Sequence, residues 1–121
     1  MSHPDLAYKI LSRTDYQLLL TQGQYEGSPV DRADGYIHLS AEPQLAGTAA
    51  KHYAGQPDLV LVEVNLPLIG DELVWEASRD GALFPHIYGP LPLSATGPAR
   101  LLSVTPEGEM ILGDTAPALS E

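Results

Sequence analysis

The most continuous apolar run in the chain is Leu59-Val60-Leu61-Val62-Glu63-Val64, rich in β-branched residues and bounded by Pro67 and Gly70. It predicts a strand buried on both faces, near the middle of a sheet. Ala7 to Leu11, Leu73 to Ala77 and Ala99 to Val104 are shorter runs of the same kind, and Glu109 to Leu112 adds a short pairing segment. Thr14-Asp15-Tyr16-Gln17 has the form of a capping box, and with Gly23 as a stop it predicts a helix over 15–22. The polar stretch 24–32, with Gly27, Ser28 and Pro29, reads as a loop. Asp34-Gly35 is a turn that launches a strand over 36–40. Ser40 then stands where an N-cap would, with Glu42 and Pro43 in the first turn of a helix that runs to about Tyr53 and stops at Gly55. Its inward stripe is Leu45, Ala49, His52 and Tyr53. Ser78-Arg79-Asp80-Gly81 reads as a turn. Too few crossover helices are present for a parallel sheet. The expectation is a small α+β domain with a mixed or antiparallel split sheet and two main helices, spanning 1–112, followed by a flexible tail over 113–121.

Two segments break this apolar pattern with polar aromatic chemistry. They are Asp34-Gly35-Tyr36-Ile37-His38-Leu39-Ser40 and Leu83-Phe84-Pro85-His86-Ile87-Tyr88-Gly89-Pro90. Side chains alternate in an extended segment, so Tyr36, His38 and Ser40 share one face, and His86 and Tyr88 share another, opposite Ile87. Buried polar groups cost free energy unless they find partners, so such faces suggest a polar cleft lined by strands. The alternative for each histidine is structural: a neutral imidazole bonded to a backbone carbonyl, or a turn closure after Pro85. A helix N-terminus beginning at Ser40 would open an anion site beside His38.

Charge and composition narrow the partners. A formal net charge of −10 argues against broad electrostatic binding to nucleic acid or to an anionic membrane. It leaves room for an anionic small molecule at a local cluster. The six basic side chains are Lys9, Arg13, Arg32, Lys51, Arg79 and Arg100. Arg32 and Arg79 each precede a histidine segment, and Lys9 lies in the first strand. The chain has no cysteine, which removes thiolate ligands and nucleophiles and fits a reducing compartment. No secretory leader pattern or stretch of roughly 20 apolar residues is seen, so a soluble cytoplasmic protein is the expectation. No histidine pair has helical metal-site spacing, and no metal is expected.

Several of these segments carry a likeness to a known family. Tyr8-Lys9-Ile10, Tyr25-Glu26-Gly27-Ser28, the two histidine segments and Trp75-Glu76-Ala77-Ser78-Arg79 together resemble the domain-of-unknown-function 952 family, over roughly residues 7–104. The family is grouped with ADP-ribosyltransferase-like folds, so the resemblance implies a cleft between two small sheets that takes NAD. Ile37-His38-Leu39-Ser40 is also similar to a motif of the tRNA 2′-phosphotransferases in that group. Many relatives have histidine in the first strand, where this chain has Lys9. The acid that transferases use has its nearest counterparts here in His86 and Glu76. The resemblance therefore implies His38, His86 and Glu76 as catalytic residues. It implies Ser40, Arg79, Arg32, Lys9, Tyr36 and Tyr88 as contacts to a nucleotide such as NAD or ADP-ribose. A non-catalytic small-ligand or protein-binding module is the alternative.

Overall fold

The computed structural model describes residues 4–77 and 81–116. Among the described residues, nine strands and three α-helices follow one another as β1 Leu6–Ser12, α1 Arg13–Gln22, β2 Gln24–Tyr25, α2 Pro29–Asp34, β3 Ile37–His38, α3 Glu42–His52, β4 Leu59–Asn65, β5 Leu73–Ala77, β6 Leu83–Ile87, β7 Leu91–Pro92, β8 Thr96–Val104 and β9 Met110–Thr115. The described strands form a four-stranded sheet in the order β1-β4-β8-β9, a three-stranded sheet β3-β6-β5 and a two-stranded pair β2-β7. All of these pairings are antiparallel. The chain is a small α+β domain with a divided antiparallel sheet.

β4 occupies the interior of the large sheet, and both of its faces are covered. Val60, Val62 and Val64 join Ala7, Leu11, Leu19, Ile37, Ile87 and Leu91 in one apolar cluster, beneath α1 and the small sheets. Leu59 and Leu61 face the other way and pack with Ile10, Leu45, Ala49, Leu102 and Val104 under α3. The two-sided burial explains why this strand lacks polar alternation. An isolated bridge between Tyr8 and Ser40 joins the edge of the large sheet to the segment after β3. The site opens along that seam.

Local chemistry moves several boundaries. α1 starts two residues before the expected position, because the Ser12 hydroxyl, not Thr14, accepts the Asp15 N–H at 3.0 Å. The stretch read as a loop holds β2 and the first part of α2, which reaches Asp34. Ser28 caps this helix, Pro29 opens it, and Gly35 closes it in the left-handed region at φ 90°. Asp34-Gly35 is therefore a helix end and not a hairpin turn. The strand expected over 36–40 narrows to Ile37–His38. Ser40 does not cap α3: the cap position is Ala41, whose N–H donates to Gln44 Oε1 at 2.9 Å. Tyr53, not Gly55, ends α3, and His52 is exposed while Leu45 and Ala49 are buried. β8 begins at Thr96. β9 pairs through Thr115, and Ala116 is buried with its N–H on the Ala99 carbonyl, so ordered pairing passes residue 112. The turn expected over 78–81 falls largely on residues 78–80, which, like those beyond 116, lie outside the described residues.

Candidate functional site

β3 and β6 pair with His38 directly opposite His86 and Ile37 opposite Ile87. Opposed residues in an antiparallel ladder share a face. The two isoleucines therefore point into the core while both imidazoles take the other side. Tyr36 and Tyr88 extend the polar face by one step at each strand. The Tyr36 ring stacks on His86, with centroids 4.1 Å apart, and lies 4.7 Å from His38 and 5.2 Å from Tyr88. The two imidazoles meet edge-on at 5.3 Å. The alternation read from the two histidine segments thus produces one aromatic cluster.

Each imidazole is anchored by an acid, in a different way. His86 is 2 % exposed, and its Nδ1–H donates to Glu76 Oε1 at 2.7 Å. Glu76 lies on β5 opposite Phe84, two positions along the ladder from His86. The Tyr88 hydroxyl also donates to Glu76, at 2.8 and 2.9 Å. The His86 hydrogen bond, with help from Tyr88, lowers the Glu76 carboxyl below its ordinary value. The same carboxylate pushes the Tyr88 phenol up to about 12. Among the described residues, His86 Nε2 has no hydrogen-bond partner, and no buried side-chain polar atom lacks one. His86 lines the cleft described below.

His38 is held at both ends. Its Nδ1 lies 2.6 Å from Asp31 Oδ1, and its Nε2 lies 2.9 Å from Asp34 Oδ2. Carboxylates only accept, so both bonds form together only when the ring carries both protons. Asp31 is the hub. It is 2 % exposed, accepts the Ser28 and His38 backbone N–H groups at 2.9 and 3.2 Å, and pairs with the Lys9 ammonium at 3.0 Å. Burial pushes the Asp31 carboxyl up, but the His38 hydrogen bond, the Lys9 charge and the Ser28 N–H outweigh it. Asp31 stays well below the ordinary carboxylate range.

A cleft of about 550 Å³ runs between the large sheet, α2, α3 and the β3–β6 pair. Its polar wall carries Asp31, His38, Ser40 and His86, and its apolar wall carries Ile10, Leu39, Leu45 and Phe84. The volume is in the range of small-molecule sites, and the mixture of walls suits a ligand with a flat apolar part and a few directed polar groups. Among the described residues, no group of three or more metal-ligating side chains is assembled.

The expected site residues divide accordingly. His38, His86 and Ser40 line the cleft, with Tyr36 against both imidazoles, Glu76 bonded to His86, and Tyr88 bonded to Glu76. Lys9 also lines it, but its ammonium is committed to Asp31, and the Ser40 hydroxyl is engaged with Thr48 Oγ1 at 2.8 Å. Arg32 lines a separate depression with Tyr36, Gly89 and Pro90, away from the main cleft. Arg79 lies outside the described residues. Asp31 and Asp34 were missed. The signal for them was present: Ser28-Pro29-Val30-Asp31 is a capping-box pattern with proline in the first turn. In the structure Ser28 Oγ accepts the Asp31 N–H while Asp31 Oδ2 accepts the Ser28 N–H.

Comparison with known proteins places this geometry in a group. No curated protein matches. Residues 10–97 match the family model described as "Protein of unknown function (DUF952)". The crystal structure of protein CC0527 from Caulobacter crescentus is 48% identical, covering 88% of this chain and 93% of that one, with a TM-score of 0.83. The solution NMR structure of CC0527 is also 48% identical, covering 87% and 90% of the two chains, with a TM-score of 0.76. The family match spans both histidine segments, and the chain belongs to the DUF952 family.

Proposed function

We propose that the cleft binds a nucleotide-type ligand such as NAD or ADP-ribose and that His86 acts on it as a general base. The observation that carries this reading is the His86–Glu76 pair. One ring nitrogen is fixed on a carboxylate, and the other is free at the wall of a ligand-sized cleft. An acid on Nδ1 sets the tautomer that leaves a lone pair on Nε2, the arrangement a proton-abstracting histidine needs. His38, with both nitrogens on carboxylates, is the positioning partner and not the base.

The ADP-ribosyltransferase-like likeness belongs to this proposal. A cleft flanked by the edge of one sheet and the face of another supports NAD as the first substrate to test. In ribosyl transfer, His86 takes the proton of an acceptor hydroxyl as that oxygen bonds to the ribosyl carbon. The carbon–nitrogen bond to nicotinamide breaks, and nicotinamide leaves with the electron pair. Fixed carboxylates nearby favour the positive charge that develops on the sugar. A non-catalytic binding module is the second reading, favoured by the engagement of both Lys9 and His38 with Asp31.

NMR of the isotope-labelled protein titrated with NAD and ADP-ribose tests binding. Saturable shifts at His38, Ser40 and His86 are expected, followed by nicotinamide release that His86→Ala abolishes. No shifts at millimolar ligand would remove the nucleotide reading. Binding with no release under any acceptor would leave the binding module.

A further inference from the structure

The cleft has little positive charge to offer an anion. Among the described residues, the lysines and arginines that line it are Lys9 and Lys51. Lys9 is spent on Asp31, Arg32 faces the other depression, and the Arg100 guanidinium donates to the Gly113 carbonyl. Lys51 is exposed, and among the described residues no ion pair holds its ammonium. It lies in the last turn of α3, one turn beyond Thr48, and both residues line the cleft. At the first turn of the same helix, the Gln44 amide donates to the Leu83 carbonyl at 2.6 Å, on the strand that carries His86. Seven residues separate Gln44 from Lys51, about 10 Å along the helix axis. Leu39, Leu45 and Phe84 line the cleft as well.

We infer that Lys51 is the anion contact of the cleft and sets its preference for a phosphorylated ligand. The inference rests on the nucleotide reading and assigns the ligand a direction, with its phosphate toward the end of α3 and its reacting part toward His86. The ligand class is an elongated nucleotide, anionic at one end and planar or apolar in the middle. The sequence pattern did not single out this residue, because Lys51 falls outside both histidine segments.

Calorimetric titration of the full chain with ADP-ribose and with uncharged adenosine tests it, using the wild type, Lys51→Gln and Lys51→Arg. Loss of one charge-assisted contact is expected to weaken ADP-ribose binding about ten-fold in Lys51→Gln. Adenosine binding is expected to be unchanged, and Lys51→Arg to retain ADP-ribose binding. Equal ADP-ribose affinity in wild type and Lys51→Gln overturns the inference while the nucleotide reading stands. Parallel loss of both ligands in Lys51→Gln, with an unchanged melting temperature, also overturns it. If neither ligand binds the wild type, the nucleotide reading fails, and this assignment goes with it.

Discussion

Replacing Asp31 by Asn removes one charge and almost no volume from the centre of the site. The Lys9 ammonium, on a residue only 6 % exposed, then loses its counter-charge. Breaking a buried ion pair by neutralising one partner costs about 3–5 kcal/mol, because the remaining charge is left uncompensated. The amide retains an oxygen for the Ser28 or His38 N–H, so the loss is chiefly electrostatic. Against a total stability of about 5–15 kcal/mol, a loss of that size is a large fraction. Urea unfolding of the wild type, Asp31→Asn, Lys9→Met and the double variant measures it. The double variant is expected to be more stable than Asp31→Asn alone, since methionine removes the stranded charge and keeps an apolar stem. The pH dependence follows with a definite sign. The Asp31 carboxyl is lower in the folded than in the unfolded state, where it sits at an ordinary 3.8. Its contribution is thus fully present above the unfolded value and is lost as pH falls below it. The wild type should lose this increment on acidification, and Asp31→Asn should lack it. A cost under about 1 kcal/mol for Asp31→Asn, or strict additivity with Lys9→Met, would refute the assignment of Asp31 as the hub.

Other perturbations follow from the same geometry. The Tyr88 phenol is held up by its hydrogen bonds to Glu76, so Glu76→Gln should lower its titration toward the ordinary value, read from the ring-carbon shift by NMR; an unchanged midpoint would show that Glu76 does not hold it. Ser28→Ala removes the α2 cap and should cost about 1 kcal/mol by urea unfolding, whereas Thr14→Ala at the exposed start of α1 should cost little. Ile87→Ala, at a side chain fully buried in the main cluster, should cost about 2–5 kcal/mol in the same assay; a near-neutral result would contradict the core position. Gly27→Ala should also destabilise: φ is +110°, and the added methyl would meet Asp31 Cβ at 2.9 Å, so unchanged stability would disprove the close approach.

The large sheet and the two longer helices were legible because they follow strong periodicities. β4 is apolar on both faces, and α3 places Leu45 and Ala49 four apart against it. The shared faces of Tyr36 with His38 and of His86 with Tyr88 followed from alternation alone. Their meeting did not, because the His38-to-His86 register is a long-range pairing that no local pattern states. β2 and β7 are two residues each and exist only through one another. α2 escaped notice because it buries an acid, Asp31, where a helix normally buries an apolar stripe. The pairing of Lys9 with Asp31 was not legible either, because that buried partner lies in the same unnoticed helix. Once the Ser28 capping box is recognised, the helix and the buried acid that Lys9 meets become legible together.

The opposition of Ile37 to Ile87 and of His38 to His86 has a consequence for how this protein can change. One two-residue strand carries a core anchor and a site residue back to back, so a slip of a single position would turn the imidazoles into the apolar core and the isoleucines toward the cleft. Scaffold and chemistry are not separable modules here. A substitution that repacks the interior around Ile37 moves His38 through the same stretch of backbone, and one that enlarges the cleft at His86 reaches the core through Ile87. Variation compatible with folding is therefore channelled to the cleft's other walls, such as the exposed end of α3. There the ligand preference of the site can drift without the fold having to follow.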